Sequence, residues 1–504
     1  MSVAVTPRSS SLLLAALGLA LLADLLLRGA AWGINLGLLA LAIGGTGAGL
    51  GRGGGGRLRR SAGPFALAAI GFALLFALRD SDDLKWANGI ALVLCLGAAL
   101  MPKGGRSLRE SSVVELAGGV TEAIGALPVE ATTLAGTARE IRFGSPEARG
   151  RSRALGRGLL LALPLLLVFG GLFASADAVF RRSIDDAFRV NFDLGAFWAH
   201  FWTFASALTL VGGILHRAFR ERPARPPVVR PSVEVPFGPV PYGAMPPGPF
   251  AGPPAPPAPA RPKGLGIIET GTVLGSLVLL FAAFVAVQFR YLFGAAETVR
   301  ATVGLSYSEY ARAGFFELAW TAILAMVVIL GADASLRREG PRDDAVFRWL
   351  GRGLVALVLL VVLSAMTRMR AYTDFFGLTE LRVYTSVFMG WLTLAFVLML
   401  FTTLAGRPRR FAFGGFVAGL LTIFVTNLMN PDRLIVRTNL LRPRADFAYM
   451  RTLSDDAILA LRDLSAAIPA AHRAEAAALV ASRRAALARG DWRELNLARA
   501  ALAR

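Results

Sequence analysis

The segment 290–317 joins two strongly apolar runs and is rich in charge and tyrosine. Within it, Ser306 and Glu309 have the spacing of a capping box, in which each side chain bonds to the other residue's backbone amide at a helix N-terminus. The spacing predicts that a helix begins at Ser306, more than two turns before the main apolar run that follows.

Tyr307, Tyr310 and Glu317 fall on one face of that predicted helix. Glu317 lies within its apolar part, where an ionisable side chain is costly and by default faces a cavity or a partner. Two interpretations stay open. A Glu–Arg pair could simply hold two helices together, with the tyrosines as interface anchors, or the face could bind a ligand or relay a proton. The cations available on the same side of the predicted topology are Arg290, Arg312, Arg368 and Arg370.

Three more polar clusters adjoin apolar runs. One contains Asp177; a second, over 367–385, contains Thr379 as a helix cap with Glu380 in the first turn; a third, over 427–440, contains Asn430 before a proline, which predicts that the last crossing ends there. The predicted polar site on the outer face therefore comprises Asp177, Arg290, Tyr307, Glu309, Tyr310, Arg312, Glu317, Arg368, Arg370, Glu380, Arg382 and Asp432.

The elements that must position these residues are long apolar helices. The chain of 504 residues is 55% hydrophobic and 17% charged, whereas a soluble domain is about a quarter charged. Several runs approach the roughly 20 residues that cross a bilayer. The prediction is an all-α, polytopic transmembrane bundle of about eleven crossings with a small helical C-terminal tail outside the membrane. The predicted crossings are Leu12–Leu27, Trp32–Leu50, Pro64–Leu78, Leu84–Met101, Leu159–Phe173, Phe197–Leu215, Ile267–Phe289, Phe315–Leu330, Leu354–Met366, Phe388–Leu404 and Phe411–Leu428.

Polar stretches divide the chain. Arg217–Lys263 holds 16 of the 27 prolines, so we expect an extended, disordered linker. Val113–Leu127 has one apolar helical face, which is typical of an interfacial helix. The predicted domains are a variable four-helix part (1–101), a basic cytoplasmic segment with that interfacial helix (102–158), a transmembrane pair (159–215), the Pro-rich cytoplasmic linker (216–265), a five-helix transmembrane core (266–430) and an extracytoplasmic helical tail (431–504).

The tail has helix signals of its own. Ser454, followed by Asp455 and Asp456, predicts a helix start with acids at the positive end of the dipole. Pro469 predicts a break, an Ala-rich helix follows, and the capping-box spacing of Asp491 and Glu494 predicts a third helix.

Charge sets the predicted orientation. The net charge is +20, and the excess arginine lies in alternate loops, as the positive-inside rule requires. This places the N-terminus in the cytoplasm and the tail outside, and it explains the charge without nucleic acid. Cys95 is the only cysteine and there are three histidines, so we expect no intramolecular disulfide, no metal site and no cofactor.

The ordered series LFASADAVF, QFRYLFG, YSEYARAGFFEL, RMRAYTDFFGLTELRVYT and NPDRLIVRTN resembles the bacterial membrane family called domain of unknown function 4173 and its relative 4153. The resemblance covers roughly 155–465 apart from the linker. It implies a multi-pass protein of the bacterial inner membrane, and it implies no reaction, substrate or cofactor.

Three functions remain as hypotheses. The first is transport or a transport-associated role, in which the polar outer face binds a small solute or a lipid. The second is a membrane enzyme that acts on a lipid-linked or periplasmic substrate, with Asp177, Glu309, Glu317 and Glu380 as acids and bases; no nucleophile motif or phosphate loop supports it. The third is a sensor, scaffold or envelope-assembly factor with a protein partner at the linker or tail. A non-catalytic transport or envelope role, in contact with the lipid bilayer, is the prediction.

Overall fold

A computed structural model describes residues 7–52, 63–101, 111–138, 194–219, 264–292, 315–440, 442, 446–488 and 490–504. These residues are nearly all helical, as predicted. The helices are α1 Pro7–Leu27, α2 Ile34–Arg52, α3 Gly63–Leu74, α4 Asp82–Leu100, α5 Val113–Gly125, α6 Leu127–Ala138, α7 Leu194–Phe219, α8 Ile267–Leu292, α9 Phe315–Ser335, α10 Pro341–Phe376, α11 Glu380–Phe401, α12 Pro408–Met429, α13 Pro431–Leu440, α14 Phe447–Met450, α15 Asp455–Asp463, α16 Arg473–Leu487 and α17 Leu497–Ala503.

The predicted crossings coincide with described helices except for Leu159–Phe173, which lies outside the described residues. Within the described part of the chain, seven helices are long and apolar enough to cross a membrane, and α1, α2 and α3 carry shorter apolar stretches. The Pro-rich segment 220–263 and the predicted helix start at Ser306 also lie outside the described residues. The structure therefore shows an apolar, helical protein of membrane character, while the number of crossings stays a prediction.

The chain divides into two compact units. The first unit contains 1–108, 114–220 and 420–504, and the second contains 109–113 and 221–419. The division falls inside α12, so the end of that helix and the whole C-terminal tail belong with the N-terminal helices.

Close packing of α6 on α7 shapes the first unit. Gly213 of α7 lies so near the backbone of Leu127 that a methyl group there would overlap it, whereas the neighbouring Gly212 has ordinary space. Glu130 of α6 is buried and pairs with His216, with 2.6 Å between its Oε2 and the ring Nδ1. On α5, Leu116 and Val120 of the predicted apolar face are buried, whereas Val113 is 41% exposed; the placement of this segment on a membrane surface stays a prediction.

The core of the second unit is built around α10. Its 36 residues correspond to about 54 Å of helix, more than the roughly 30 Å hydrocarbon thickness. Leu354, Val358 and Phe347 on this helix are fully buried against α8, α9 and α11. In the 3-10 turn Thr403–Ala405 that follows α11, the carbonyl of Leu404 accepts from the guanidinium of Arg352 over 3.1 Å, which ties this turn to α10.

The tail helices α15, α16 and α17 contact one another, as predicted, but one predicted helix start is wrong. Asp491 and Glu494 flank a 3-10 turn rather than opening an α-helix. Asp491 accepts from the amide of Arg493, while Glu494 bonds to the amide of Ala31 in a distant loop. The helix that follows is instead capped by Asn496, which accepts from the amide of Arg499.

Candidate functional site

Charged and polar side chains from four distant segments meet in the first unit, and all except Arg483 are buried or partly buried. They come from the α3–α4 loop with the first turn of α4, the α12–α13 junction, the start of α15, and α16–α17. We call this group the anchor cluster; its members are Arg79, Asp80, Lys85, Asn430, Asp432, Ser454, Asp455, Asp456, Arg483, Asn496 and Arg499.

Asp80 lies at the centre of the anchor cluster. Its carboxylate accepts from Lys85 Nζ at 3.0 Å, from Asn496 Nδ2 at 2.8 Å and from the backbone amide of Asp455 at 3.1 Å, and Arg499 Nη2 lies 3.1 Å away. Burial acts to raise the pKa of Asp80, but the cations Lys85 and Arg499 outweigh it and hold the pKa of that carboxyl below its usual range. The charged carboxylate thus joins the α3–α4 loop to the tail.

The first residues of α15 also bond to the α3–α4 loop through their own side chains. The carboxylate of Asp456 accepts from the backbone amide of Asp80 at 2.8 Å and from Arg79 Nη1 at 3.3 Å. Asp455 is fully buried and pairs with Arg483 and with Arg499. Burial raises the pKa of Asp455 and of Asp456. The acids that the sequence marks as a helix start therefore also bind a loop more than 370 residues away.

Asn430 performs three tasks at the end of α12. Its φ of 53° is a left-handed conformation that asparagine tolerates better than most residues, and α12 ends immediately before it, as predicted from the following proline. Its side-chain oxygen accepts from the amide of Arg433 in the first turn of α13 at 3.2 Å. Its Nδ2 donates to Asp456 at 2.9 Å, so the helix junction is fixed to the anchor cluster.

A pair of asparagines joins α4 to α12 in the same unit as the anchor cluster. Asn88 and Asn427 are completely buried and exchange two amide hydrogen bonds, of 3.1 and 2.8 Å. The backbone carbonyl of Asn427 also accepts from Arg79 Nε at 2.7 Å. Buried amides need such partners because an unpaired one carries its full desolvation cost.

Of the predicted outer-face residues whose side chains the structure describes, Asp432 alone lies in the anchor cluster. It is buried, and Oδ2 accepts from the hydroxyl and the amide of Ser454. Its Oδ1 is buried without a hydrogen-bond partner among the described residues. Burial raises the pKa of Asp432 to about 6; the hydrogen bonds from Ser454 oppose this rise and the nearby Asp456 adds to it.

Four other predicted site residues lie in the second unit. Arg368, Arg370, Glu380 and Arg382 belong to α10 and α11 of the second unit. Arg382 lies over the ring of Tyr372, with 4.2 Å from its Cζ to the ring centroid, and donates to the carbonyl of Gly377 at 2.5 Å. These contacts hold the α10–α11 turn together.

The remaining predictions are not tested. Arg290 and Glu317 lie in α8 and α9, but the structure does not describe their side chains. Outside the described residues lie Asp177, Tyr307, Glu309, Tyr310 and Arg312. The interpretation of the 290–317 segment as a site therefore stays a prediction.

Most of the anchor cluster was not predicted as a site. The sequence does mark its parts: an acidic α3–α4 loop, an Asn-Pro-Asp junction and an acidic helix start. An overlooked signal was Asn88, an amide inside an otherwise apolar run, because such a residue needs a partner within the bundle. Among the described residues, no group of three or more His, Cys, Asp or Glu side chains could hold a metal ion.

Chemically, the anchor cluster is a balanced set of charges. Asp80, Asp455 and Asp456 pair with Arg79, Lys85, Arg483 and Arg499, while Asp432 accepts from Ser454. The described contacts of these acids are to cations, amides and a serine hydroxyl, which makes the arrangement suited to holding segments together.

Most of the chain matches a known protein family. A model of the family described as domain of unknown function, DUF4153, matches residues 66–464. The chain belongs to the DUF4153 family. Of the two related families that the sequence resembles, DUF4153 is therefore the one supported, and the label 4173 is not confirmed. No curated protein and no solved structure matches the chain.

The DUF4153 match includes only part of the anchor cluster. It contains the α3–α4 loop, the α12–α13 junction and the start of α15, with the central Asp80 and Asp456. Arg483, Asn496 and Arg499 lie beyond residue 464, in α16 and α17. In this DUF4153 protein, the last two tail helices thus add contacts to an anchor cluster whose other members lie within the matched range.

Proposed function

We propose that this DUF4153 protein is a non-catalytic envelope-assembly scaffold of the bacterial inner membrane. In this proposal the C-terminal tail lies outside the cytoplasm and is held rigidly as a surface for a protein partner. The observation that carries the proposal is the anchor cluster, because it joins the tail to the α3–α4 loop through buried, charge-assisted hydrogen bonds.

The geometry of the tail supports a role in presentation. A mobile tail would not need buried ion pairs, whose desolvation cost is repaid only by close, well-satisfied contacts. The contacts also place three segments at one end of the first unit: the α1–α2 loop, the α3–α4 loop and the tail. This agrees with a topology in which all three lie on the outer side.

α16 offers a surface for the partner. Ala474, Ala478, Ala481 and Ala485 recur at intervals of four and three residues, and all are exposed. That spacing gives one face of a helix, and small side chains allow another helix to approach closely. A partner helix packed along this face is therefore the form of contact that we expect.

Photo-crosslinking in living cells tests the proposal. A photoreactive amino acid at Ala478, Ala481 or Ala485 should give a discrete crosslinked protein, whereas one at the buried Ala476 should not. Asp456→Ala, which releases the tail from Asp80, should abolish the crosslinks and sensitise cells to envelope stress. Equal crosslinking in the wild type and in Asp456→Ala, or no crosslink at any of the three exposed positions, would contradict it.

A further inference from the structure

The 3-10 turn Trp492–Glu494 lies directly at the ends of two apolar helices. Arg493 Nη1 donates to the carbonyls of Leu25 at 2.7 Å and of Arg28 at 3.0 Å, at the C-terminus of α1. Helix ends leave such carbonyls unpaired, and a basic side chain is a favoured partner for them. The turn is therefore level with the end of α1.

The turn and the residue after it also accept amide hydrogen bonds from the α1–α2 loop and from the first residue of α2. Ala31 N donates to Glu494 Oε1 at 3.0 Å, and Ile34 N donates to the carbonyl of Leu495 at 3.0 Å. A Cβ at Gly33 would lie 2.7 Å from the backbone of Glu494, so the approach depends on glycine. The α1–α2 loop and the tail turn thus form one hydrogen-bonded layer where the two apolar helices end.

Large apolar side chains are exposed in this layer. Trp492 is 56% exposed, and Leu495 and Leu497 beside it are also exposed. On the same end of the first unit, Trp32 and Trp86 are exposed and meet edge to face, with 5.5 Å between ring centroids. Tryptophan at the ends of membrane helices is typical of the headgroup layer, where its ring is apolar and its N–H can bond to water or lipid.

We propose that Trp492, Leu495 and Leu497 form a rim of the tail that inserts into the headgroup layer of the bilayer containing the apolar helices. The lipid surface is the occupant because Leu21 and Leu25 on α1 are large, apolar and exposed, and Arg493 of the turn bonds to the backbone carbonyl of Leu25 itself. A bilayer that covers those side chains reaches the turn that caps the same helix. The tail would then be a surface-bound element as well as an extramembrane domain. This inference is independent of the proposed partner.

Spin-label accessibility tests the rim in the full-length protein. In a Cys95→Ala background, Leu497→Cys and Ala478→Cys are labelled with a nitroxide, and the protein is placed in nanodiscs of phosphatidylethanolamine and phosphatidylglycerol. Oxygen concentrates in the bilayer, whereas a nickel chelate stays in water. We expect a several-fold higher ratio of oxygen to nickel accessibility at position 497 than at the exposed α16 position 478. Equal ratios at the two positions would overturn the proposal.

A second variant separates a folding defect from a wrong inference. Gly33→Ala, immediately before α2, pushes the turn away and should reduce the ratio at position 497. Gly45 lies within α2 and has open space around it, so Gly45→Ala should leave the ratio unchanged. If Leu497 is as accessible to nickel as Ala478 while the tail resists protease, the rim faces water or another protein and the proposal is wrong.

Discussion

Two groups of ion pairs in this molecule differ in how they connect the chain. In the second unit, Arg338 bonds to Asp333 at 2.6 Å and to Asp344 at 2.8 Å, five and six residues away. In the first unit, Asp80 meets Asn496, Asp455 and Arg499 from the other end of the chain. The first group fastens a local turn between α9 and α10, whereas the anchor cluster joins segments that share no local geometry.

Burial separates the two groups as well. The side chain of Arg338 is 40% exposed, whereas that of Asp80 is 5% exposed. Exposed pairs contribute about 0–1 kcal/mol because water competes for each charge. Removing one partner of a buried pair costs about 3–5 kcal/mol, since the other charge stays buried without compensation. A short distance alone therefore does not indicate which ion pairs stabilise the fold.

Asp80→Ala should have the largest effect. The variant removes the buried carboxylate that Lys85, Asn496 and Arg499 share, and we expect the free energy of unfolding in mixed micelles to fall by about 3–5 kcal/mol. The exposed Asp83 in the first turn of α4 is the matched control, and Asp83→Ala should change the free energy of unfolding by less than about 0.5 kcal/mol. Equal losses in both variants would remove the distinction between buried and exposed acids.

Asp432→Asn should change the pH dependence of stability. The pKa of Asp432 is about 6 in the fold, above the ordinary 3.8, so its stabilising contribution is present below pH 3.8 and is lost as the pH rises through 6. The difference corresponds to up to about 3 kcal/mol. The difference between the melting temperatures at pH 5 and pH 8 should be larger in the wild type than in Asp432→Asn.

Other acids can be separated from this effect. Asp456 also has a raised pKa, while that of Asp80 is lowered and therefore titrates below pH 3.8. Subtracting the variant from the wild type isolates Asp432. If both proteins show the same shift between pH 5 and pH 8, the burial of this carboxyl is not as described.

Asn88→Ala should have an intermediate effect. It leaves the buried amide of Asn427 without a side-chain partner, at a cost of about 1–2 kcal/mol. The double variant with Asn427→Ala should lose less than the sum of the two single losses, because it removes both buried groups. Strict additivity in denaturant titrations would show that the two amides are not coupled.

Arg338→Ala should have the smallest effect. Asp344 is partly exposed, and Asp333 lies close to the end of α9. We therefore expect the free energy of unfolding to fall by no more than about 1 kcal/mol. High salt should reduce even this difference, because ions screen exposed charges. A loss as large as that of Asp80→Ala would show that exposure does not rank the two groups.

The helices could be read from the sequence, whereas their polar contacts could not. Apolar runs fixed the positions of α4 and α12 because burial or lipid contact needs continuous apolar residues. Local chemistry also predicted the helix end at Asn430, since a proline follows it. Such signals extend over a few residues, and the structure agrees with them.

The anchor cluster depends on which segments meet across the chain, and a single sequence does not record this. Ser454 is a good N-cap by type, yet its hydroxyl bonds to Asp432 instead. Glu494 has capping-box spacing, yet it bonds to Ala31. In both cases a tertiary partner outcompetes the local one: the hydroxyl of Ser454 donates to the carboxylate of Asp432, and the carboxylate of Glu494 accepts from the amide of Ala31.

Amide hydrogen exchange tests most directly whether the tail is anchored. The amide of Asp80 bonds to Asp456 and the amide of Asp455 bonds to Asp80, so each segment protects the other. We predict slow exchange over 79–82 and 454–457 in the full-length protein, and faster exchange over 454–457 in Asp80→Ala and over 79–82 in Asp456→Ala. Exchange in each segment that is unchanged by substitution in the other would contradict the anchored tail.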